Sequence, residues 1–311
     1  MKRFLSLSLA VLVVLPLVIF TGCAAPSKCI FKISDKEYTL ALPESTEIQY
    51  MDGNITVTFK EESVKKVDLT PLSDVPEFIM LNVKQNEGIK TSVQELILPA
   101  AVKNVCIELN SVEKLDGTQA SNMEQMSVHC PIKQANLSEA LKSIEIGVAM
   151  DLSAFADCPS LENVAIYHPT DLSALADFKA LNTLIISKAM EEDAEWDFAP
   201  IKTLKFKTLR LFGSFFTSEE IKTLEGASFT TLQLSDEGIS DLSVLKELPN
   251  LKTLLLDVSG EQPDEVLTVI RSHEPFSKEV IELLNTTIPV QQLVEYIEQG
   301  GTVYLFEEMN R

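Results

Sequence analysis

A spaced triplet of apolar residues, apolar-x-x-apolar-x-apolar, recurs along the middle of the chain. Three copies follow one another at steps of 20 residues, and three more follow at steps of 25, 23 and 22 residues. All eighteen positions are apolar in these copies: Leu141/Ile144/Ile146, Leu161/Val164/Ile166, Leu181/Leu184/Ile186, Phe206/Leu209/Leu211, Phe229/Leu232/Leu234 and Leu251/Leu254/Leu256. A period of this length indicates a repeat architecture. Each copy therefore predicts one short strand whose alternate side chains face a common core.

Looser copies of the triplet lie upstream, and we expect them to join the same parallel sheet. They are Phe78/Leu81/Val83, Val93/Leu96/Leu98, Val102/Val105/Ile107 and Met123/Met126/Val128. Ten strands at about 4.8 Å spacing would span roughly 45 Å along the arc.

A second motif keeps a fixed distance from the triplets. An Asp-Leu pair stands ten residues before a triplet at Asp68-Leu69, Asp151-Leu152, Asp171-Leu172 and Asp241-Leu242. An Asp in this place can cap a short helix or turn, and the Leu that follows can pack inward. We expect these segments to form the side of each repeat opposite the strand.

The two ends of the repeat region have different patterns. Residues 29–66 contain four short runs rich in β-branched and aromatic residues, and Asp52-Gly53 predicts a tight hairpin turn between the last two. Residues 259–311 predict helices that start at Pro263-Asp264-Glu265, Ser277 and Pro289, followed by a strand at Thr302–Phe306. Since a stack of repeats needs covers over its open ends, both segments are predicted to be caps.

The first 22 residues have the layout of a secretory signal peptide. Lys2-Arg3 form a positive start, Phe4 to Phe20 form an apolar run, and the small residues Thr21-Gly22 precede Cys23. The stretch Phe20-Thr21-Gly22-Cys23 resembles the bacterial lipobox, with Phe20 where Leu is commoner. The resemblance implies that Cys23 receives a diacylglyceryl group and becomes the new N-terminus, with residues 23–28 as lipidated Cys and tether. The alternatives are a plain secreted protein with a chance Cys, or a retained membrane helix.

The repeats resemble the leucine-rich repeat of the short type found in internalin-like bacterial surface proteins. The resemblance covers about residues 67–258 and is clearest from Leu161 through Asp171-Leu172-Ser173 to Leu181. The family's Asn three residues after the triplet is present only at Asn86 and Asn110. The resemblance implies an α/β fold, a solenoid with parallel strands on its concave face and short helices or turns on its convex face. A small β-rich N-terminal unit and an α/β C-terminal cap would close it.

Charge excludes one class of partner. The chain has 26 Lys and Arg against 46 Asp and Glu, a formal charge of −20, and loss of Lys2 and Arg3 with the leader makes it −22. Phosphate contacts need clustered Lys and Arg, so we expect no nucleic-acid binding. Purely electrostatic attraction to anionic lipid is disfavoured for the same reason.

We find no pattern of residues that predicts catalysis, so the sequence does not predict an enzyme. The three histidines, His129, His168 and His273, stand in no metal-binding spacing, and no nucleophile motif or phosphate loop is present. We therefore predict no cofactor and no metal. An acidic run around Trp196 is open to two interpretations, a site for a cation or basic partner, or a solvated loop with Trp196 folded back onto the body. Its acids are Glu191, Glu192, Asp193, Glu195 and Asp197.

The four cysteines after Cys23 also leave two possibilities open. Cys29, Cys106, Cys130 and Cys158 form no CxxC pair, and they could be small buried residues or form a disulfide that sequence alone cannot assign. Cys158 has the place that Phe178 and Leu248 have in their repeats, which predicts a core position.

Side chains between the inward triplet positions should face outward from the concave sheet. The central column is predicted to run Ile97, Cys106, Ser127, Glu145, Ala165, Ile185, Arg210, Gln233 and Leu255. The next column contains Tyr167 and Phe212, which together with Ile185 and Arg210 form the candidate binding surface. Exposed aromatic residues with an Arg are typical of protein interfaces. The alternative is that these side chains cover a neighbouring loop, either Phe215-Phe216 or the loop around Trp196.

These observations predict an extracytoplasmic lipoprotein, held in the membrane by its N-terminal lipid. Its repeats would bind an unidentified protein or glycan through the solenoid surface, and we expect a monomer. The alternative is a structural or assembly component of the cell envelope, permanently docked to another envelope protein.

Overall fold

A computed structural model describes residues 28–33, 35–60, 64–168, 170–188, 196–212, 216–235, 243–257 and 290–306. The predicted signal peptide, Cys23, the acidic residues from Glu191 to Glu195, and the predicted helices at Pro263 and Ser277 lie outside these residues. The described part is an α/β structure made mostly of strands, with a large parallel sheet. It contains no helix with the length and apolar character needed to cross a membrane.

Eighteen strands are found in this part of the chain. They are β1 Cys29–Ile33, β2 Lys36–Leu40, β3 Glu47–Met51, β4 Asn54–Phe59, β5 Lys66–Asp68, β6 Met80–Gln85, β7 Glu95–Ile97, β8 Asn104–Glu108, β9 Lys114–Gly117, β10 Gln125–Val128, β11 Gln134–Leu137, β12 Ser143–Ile146, β13 Asn163–Ile166, β14 Thr183–Ser187, β15 Thr208–Phe212, β16 Thr231–Ser235, β17 Thr253–Asp257 and β18 Thr302–Phe306.

Twelve of these strands form one sheet in the order β18-β17-β16-β15-β14-β13-β12-β10-β8-β6-β4-β3. All neighbours from β4 to β18 are parallel, and only the outermost strand β3 is antiparallel to its neighbour. The inward triplet positions are in register, as Ile144, Val164 and Leu184 demonstrate. The six regular copies thus form six consecutive parallel strands, β12 to β17, as predicted.

The upstream copies do not all belong to this sheet, which corrects one prediction. The copy Val93/Leu96/Leu98 forms β7, which lies in a second, four-stranded parallel sheet of order β11-β9-β7-β5. In this region a second strand follows each strand of the large sheet, and both kinds show the same alternation of buried residues. An alternation of buried and exposed residues predicts a strand but does not show which sheet the strand joins. The sequence pattern therefore could not distinguish strands of the smaller sheet from strands of the large sheet.

From β12 onward, short helices replace the strands of the smaller sheet. They are the 3-10 helices η2 Leu152–Phe155, η3 Ser173–Asp177, η4 Ala199–Thr203 and η5 Ser243–Glu247, and the helix α1 Ser218–Lys222; η1 Thr70–Leu72 follows β5. Asp151 Oδ1 accepts a hydrogen bond from the backbone N–H of Ser153 at 2.9 Å, and Asp171 Oδ1 accepts one from Ser173 at 2.8 Å. The bond at Asp151 confirms the predicted capping of η2, whereas Asp171 lies one residue before the first cap position of η3 and makes the same local turn without capping the helix. Asp241 lies outside the described residues.

A continuous apolar core fills the space between the large sheet and the elements that return to it. Phe155, Phe198 and Phe229 are among its largest fully buried side chains. Leu152 and Leu172 of the Asp-Leu pairs are buried, and so is Cys158, as predicted. The core therefore receives one apolar residue set from the strands and another from the return segments.

Both ends of the core are covered. At the N-terminal end, β1 and β2 form an antiparallel pair, and Tyr38 Oη donates to the backbone oxygen of Asp74 at 3.3 Å. At the C-terminal end, the helix α2 (Val290–Glu298) buries Leu293 and precedes β18. The predicted helix after Pro289 and the predicted strand Thr302–Phe306 are thus confirmed. The predicted hairpin turn is confirmed too, since Asp52 and Gly53 both have positive φ, 49° and 81°.

Candidate functional site

The candidate site lies on the side of the large sheet that faces away from the core. Its central positions are aligned by strand pairing, and we call this set the outward row. It consists of Thr56, Asn82, Cys106, Ser127, Glu145, Ala165, Ile185, Arg210, Gln233 and Leu255. Ile97, which the sequence placed in this row, is instead on β7 in the smaller sheet. Asn82 of β6 takes its place.

The four predicted surface residues come from three adjacent strands. Ile185 of β14 is directly opposite Arg210 of β15, and Phe212 is opposite Ser187. Tyr167 directly follows β13, and its backbone N–H donates to Ile146 at 3.0 Å, so it continues the pairing by one residue. Their exposure differs: Tyr167 is 38% exposed, Ile185 and Arg210 are half-buried, and Phe212 is only 8% exposed. The prediction of two exposed aromatic rings is therefore wrong for Phe212.

Arg210 lies over the ring of Phe212 and is itself held in place by a second contact. Its guanidinium carbon lies 4.8 Å from the centre of the Phe212 ring, a cation–π geometry. Its Nε donates to Oε1 of Gln233 at 2.6 Å, and Gln233 is buried. A long cationic side chain fixed at two points loses little further freedom when a ligand binds.

A different set of polar side chains occupies the earlier strands of the same face. Cys106 Sγ donates to Oε1 of Glu108 at 3.5 Å, and Ser127 Oγ lies 3.1 Å from Nε2 of His129. Burial, together with the nearby carboxylate of Glu108, raises the pKa of Cys106 to about 11. At neutral pH this thiol is protonated, which is the wrong form for a nucleophile or a metal ligand.

The ring of His129 lies against Gly147, where any side chain would collide with it. A Cβ at Gly147 would come within 2.1 Å of Nδ1 of His129. Within the described ranges, no group of three or more His, Cys, Asp or Glu side chains could hold a metal ion. The repeat register predicted that Cys106, Ser127 and Glu145 lie side by side, and strand pairing confirms it across β8, β10 and β12. The register gave no signal for the side-chain contacts that Cys106 and Ser127 make with Glu108 and His129.

One buried ion pair was not predicted. Lys188 Nζ lies 2.9 Å from Oε1 of Glu220, and the two side chains are only 7% and 4% exposed. The same Glu220 oxygen accepts the backbone N–H of Trp196 at 3.0 Å, while Oε2 accepts that of Thr217 at 2.7 Å. Burial alone would raise the pKa of Glu220, but these hydrogen bonds and Lys188 lower it below its usual value. The available signal was the capping-box pattern Thr217-x-x-Glu220.

Trp196 is buried, in agreement with the interpretation that it folds back onto the body. Its ring stacks on Phe198 with centroids 6.3 Å apart, and Phe198 contacts Phe216 at 5.9 Å. Trp196 and Phe216 therefore pack with Phe198 in one aromatic cluster. Phe215 lies outside the described residues. The four described cysteines, Cys29, Cys106, Cys130 and Cys158, are all free thiols.

Comparison with known proteins adds no family to these observations. No model of a known protein family matches the chain, and no curated protein sequence matches it.

Proposed function

We propose that the chain is a lipid-anchored, extracytoplasmic binding protein whose leucine-rich-repeat-like solenoid recognises a protein or glycan through the outward row. The observation that carries the proposal is a long parallel sheet with one face on the core and the other face partly open. Repeat proteins of this build present extended surfaces of this kind to their ligands.

The solenoid architecture is supported by the way the elements alternate along the chain. From β4 to β17, each strand of the large sheet is followed by a short strand or helix on the return side and then by the next strand of the same sheet. The register between successive strands shifts nowhere in the regular copies. Each unit would then be one coil that buries its apolar side only by stacking on its neighbours.

The binding surface is best supported around Tyr167 and Arg210. Tyr167 presents an exposed aromatic ring one strand away from Ile185, and Arg210 is held by Phe212 and Gln233. Tyr and Arg are enriched among the residues that carry binding energy, particularly where they are pre-organised. The candidate surface places apolar side chains beside the positive charge of Arg210. Such a surface suits a ligand that has both apolar and acidic groups.

The location of the protein rests on its first 23 residues. The positive start, the apolar run and the lipobox-like Phe20-Thr21-Gly22-Cys23 support export and acylation of Cys23. Two acyl chains plus an amide-linked chain would anchor the protein stably, whereas one chain alone holds weakly.

Site-specific photo-crosslinking in the full-length chain tests the binding surface. A photoreactive phenylalanine analogue replaces Tyr167 in one variant and Lys179, an exposed residue beyond η3, in the control. We expect one discrete crosslinked partner from position 167, none from position 179, and loss of the product when Arg210→Ala is added. The same adduct from both positions, or an unchanged adduct in Arg210→Ala, would contradict the proposal.

The crosslink also separates ligand capture from a permanent structural role. If the partner is a reversibly bound ligand, added free partner will exchange with the bound molecules. Adding excess purified partner to washed membranes should then decrease the adduct formed at position 167 with the original partner. An adduct that forms in every molecule and resists competition would instead support permanent docking to an envelope protein.

A further inference from the structure

The outward row changes from an acidic to a basic residue between β12 and β15. Glu145 of β12, Ala165 of β13, Ile185 of β14 and Arg210 of β15 are paired position by position across these four strands. We call these four residues the acid–base span. Because neighbouring strands lie about 4.8 Å apart, the backbone positions of its two charged residues are separated by roughly 14 Å. The span thus has an acid at one end, a base at the other and apolar residues between them.

Arg210 has no acidic partner among the described residues. Its Nε donates to Gln233 and its guanidinium lies over Phe212, and no ion pair joins it to the part of the chain that the structure describes. The outward positions of the flanking strands β14 and β16 are uncharged: Thr183, Ile185, Ser187, Thr231, Gln233 and Ser235. The chain has 46 Asp and Glu, so this is not a shortage of acids. The two terminal nitrogens of Arg210 can therefore bind a carboxylate of a ligand through two parallel hydrogen bonds.

Glu145 has the same isolation with the opposite charge. Its side chain is exposed and forms no ion pair within the described ranges. The outward positions of the strands on either side of it, β10 and β13, contain neither Lys nor Arg: Gln125, Ser127, Asn163 and Ala165. The carboxylate of Glu145 is therefore available to an ammonium or guanidinium group of a ligand.

The middle of the span offers apolar contact. Ile185 is half-buried, and Tyr167, which directly follows β13, is 38% exposed. Ala165 is only 5% exposed, so an incoming side chain would contact mainly Ile185 and Tyr167. Burial of their remaining apolar surface favours an apolar group at this point of the ligand.

An extended protein segment has the dimensions of the span. Its residues rise about 3.3 Å each and its side chains alternate, so residues i, i+2 and i+4 face the same side and cover roughly 13 Å. A basic residue at one end would reach Glu145, an apolar residue in the middle would reach Ile185, and an acidic residue at the other end would reach Arg210. A segment with both charges is also not repelled by the net charge of −20, as a purely acidic ligand would be.

We propose that the acid–base span binds an extended protein segment in which a basic, an apolar and an acidic side chain stand at alternate positions. The base pairs with Glu145, the acid pairs with Arg210, and the apolar side chain packs on Ile185 and Tyr167. The inference rests on the proposed function and narrows its ligand to a protein, because a peptide backbone supplies all three groups at this spacing. Charge complementarity at both ends fixes the register of the segment across the strands.

Binding to an array of synthetic peptides tests the inference with the mature full-length chain in non-ionic detergent. Each peptide has one Lys and one Glu, two, four, six or eight residues apart, with Leu midway and Ser elsewhere. We expect the strongest binding to Lys-Ser-Leu-Ser-Glu, and several-fold weaker binding when Gln replaces its Lys or its Glu. Physiological ionic strength screens attraction to the net charge of the chain.

Charge reversals show which residue meets which end of the peptide. Glu145→Lys should change the preferred peptide to Glu-Ser-Leu-Ser-Glu, and Arg210→Glu should change it to Lys-Ser-Leu-Ser-Lys, because like charges opposite each other are unfavourable. Each reversal should weaken binding of Lys-Ser-Leu-Ser-Glu about tenfold, a cost of about 1.4 kcal/mol.

The matched control is Glu139→Lys. It makes the same change of charge at an exposed site between β11 and β12, and it should leave the peptide preference unchanged. Circular dichroism verifies that each variant is folded. Because Glu145 is exposed, its reversal remains decisive even if Arg210→Glu does not fold.

The outcomes separate this inference from the proposed function, which the crosslink at position 167 tests. The inference is overturned if no peptide binds, if neither reversal changes the preference, or if the parent chain binds Lys-Ser-Leu-Ser-Lys as well as Lys-Ser-Leu-Ser-Glu. A crosslinked glycan, or a protein adduct that Glu145→Lys leaves unchanged, also overturns it, although the binding function then stands. If position 167 yields no adduct and no peptide binds, both proposals fail.

Discussion

Residues 54–137 and residues 143–257 both contribute strands to the large sheet, but the segments that connect one of these strands to the next differ between the two regions. We call the side of the molecule on which these connecting segments lie the return side. In the first region the return side is a strand, and its buried residues alternate, as at Leu96 and Leu98. In the second region the return side is a short helix with buried residues three apart, as at Leu152 and Phe155. A spacing of two matches a strand and a spacing of three matches a 3-10 helix. The period on the return side therefore decides which element forms.

The two solutions differ in where the backbone hydrogen bonds go. On the strand side they cross to the next strand of the smaller sheet, as from Leu98 N to Asp116 O at 2.8 Å. On the helix side they stay within the same connecting segment, as from Cys158 N to Phe155 O at 3.1 Å and from Leu161 N to Cys158 O at 3.3 Å. The first region is thus tied to its neighbours along two sheets and the second region along one. Because the connecting segments of the second region bond locally, extra residues can be accommodated there between one strand of the large sheet and the next.

The extra residues in the second region are accompanied by a buried ion pair, whereas the first region has exposed ones. Lys188 and Glu220 bridge the longest step between regular strands, from β14 to β15 and α1. By contrast, Lys66–Glu95 and Lys133–Glu113 lie along the rim of the smaller sheet with exposed side chains. Exposed pairs contribute little to stability, but a buried charge that loses its partner is costly.

Glu220→Gln should have the largest effect on stability. It leaves the Lys188 ammonium buried without a counter-charge, and we expect a loss of about 3–5 kcal/mol in the free energy of unfolding. Trp196 donates to this carboxylate, so its fluorescence during urea unfolding reports the site directly. The control Glu95→Gln removes an exposed pair and should cost less than about 1 kcal/mol. Equal losses would refute the distinction between the two pairs.

The same carboxylate should make the second region sensitive to acid. Because the pKa of Glu220 is lowered in the folded state, its contribution is complete above its ordinary pKa and is lost as pH falls through the lowered value. The Trp196 unfolding midpoint should decrease over that acidic interval in the parent chain. In Glu220→Gln the decrease should be smaller.

Proline substitutions should have the next largest effect, and their cost in stability should differ between the strands and the short helices of the return side. Ile97→Pro interrupts β7, which is bonded to a strand on each side, and should cost about 3 kcal/mol or more. Ala174→Pro in η3 repeats the arrangement of Ala199-Pro200 in η4 and should change stability by less than about 1 kcal/mol. Chemical denaturation measures both, and Ile97→Ala corrects for the lost side chain. Similar costs at both positions would mean that the helix side is as constrained as the strand side.

The regular part of the fold could be predicted from the sequence because its signals agree. Six triplets in register and the Asp-Leu pairs indicated β12 to β17 and the turns opposite them. The smaller sheet was not predicted, since Val93/Leu96/Leu98 satisfies the same alternation as a strand of the large sheet. Which sheet a strand joins depends on contacts between residues about 20 apart, and these contacts cannot be inferred from the local alternation.

The candidate site could be predicted in position but not in detail. Strand register follows from the repeat, so Tyr167, Ile185, Arg210 and Phe212 were expected on adjacent strands, and the structure has them there. Their exposure depends on side-chain packing, and a periodic pattern cannot show that Arg210 lies over Phe212. The Lys188–Glu220 pair joins residues 32 apart. They flank the longest step between regular strands, where the repeat pattern does not predict which residues meet.

Removal of a single cap should give the smallest effect and sharpen the comparison further. Asp151 begins η2 by accepting the N–H of Ser153, and Asp116 accepts the N–H of Thr118 at 3.1 Å at the end of β9. Asp151→Ala should cost about 1 kcal/mol, since little else holds the start of a short helix. Asp116→Ala should cost less, because backbone bonds between strands of the smaller sheet, such as Leu98 N to Asp116 O, persist without the carboxylate.

Acid titration provides an independent check of this difference. The hydrogen bonds from Ser153 lower the pKa of Asp151, so the stability it adds is complete above its ordinary pKa and disappears as pH falls through the lowered value. The gap in stability between the parent and Asp151→Ala, measured by urea unfolding, should therefore close in acid. Asn at position 151 keeps an acceptor oxygen without a charge, so Asp151→Asn should retain most of the stability at neutral pH and show a weaker acid dependence. A gap that stays constant down to strongly acidic pH would mean that Asp151 acts through packing and not through its charged cap.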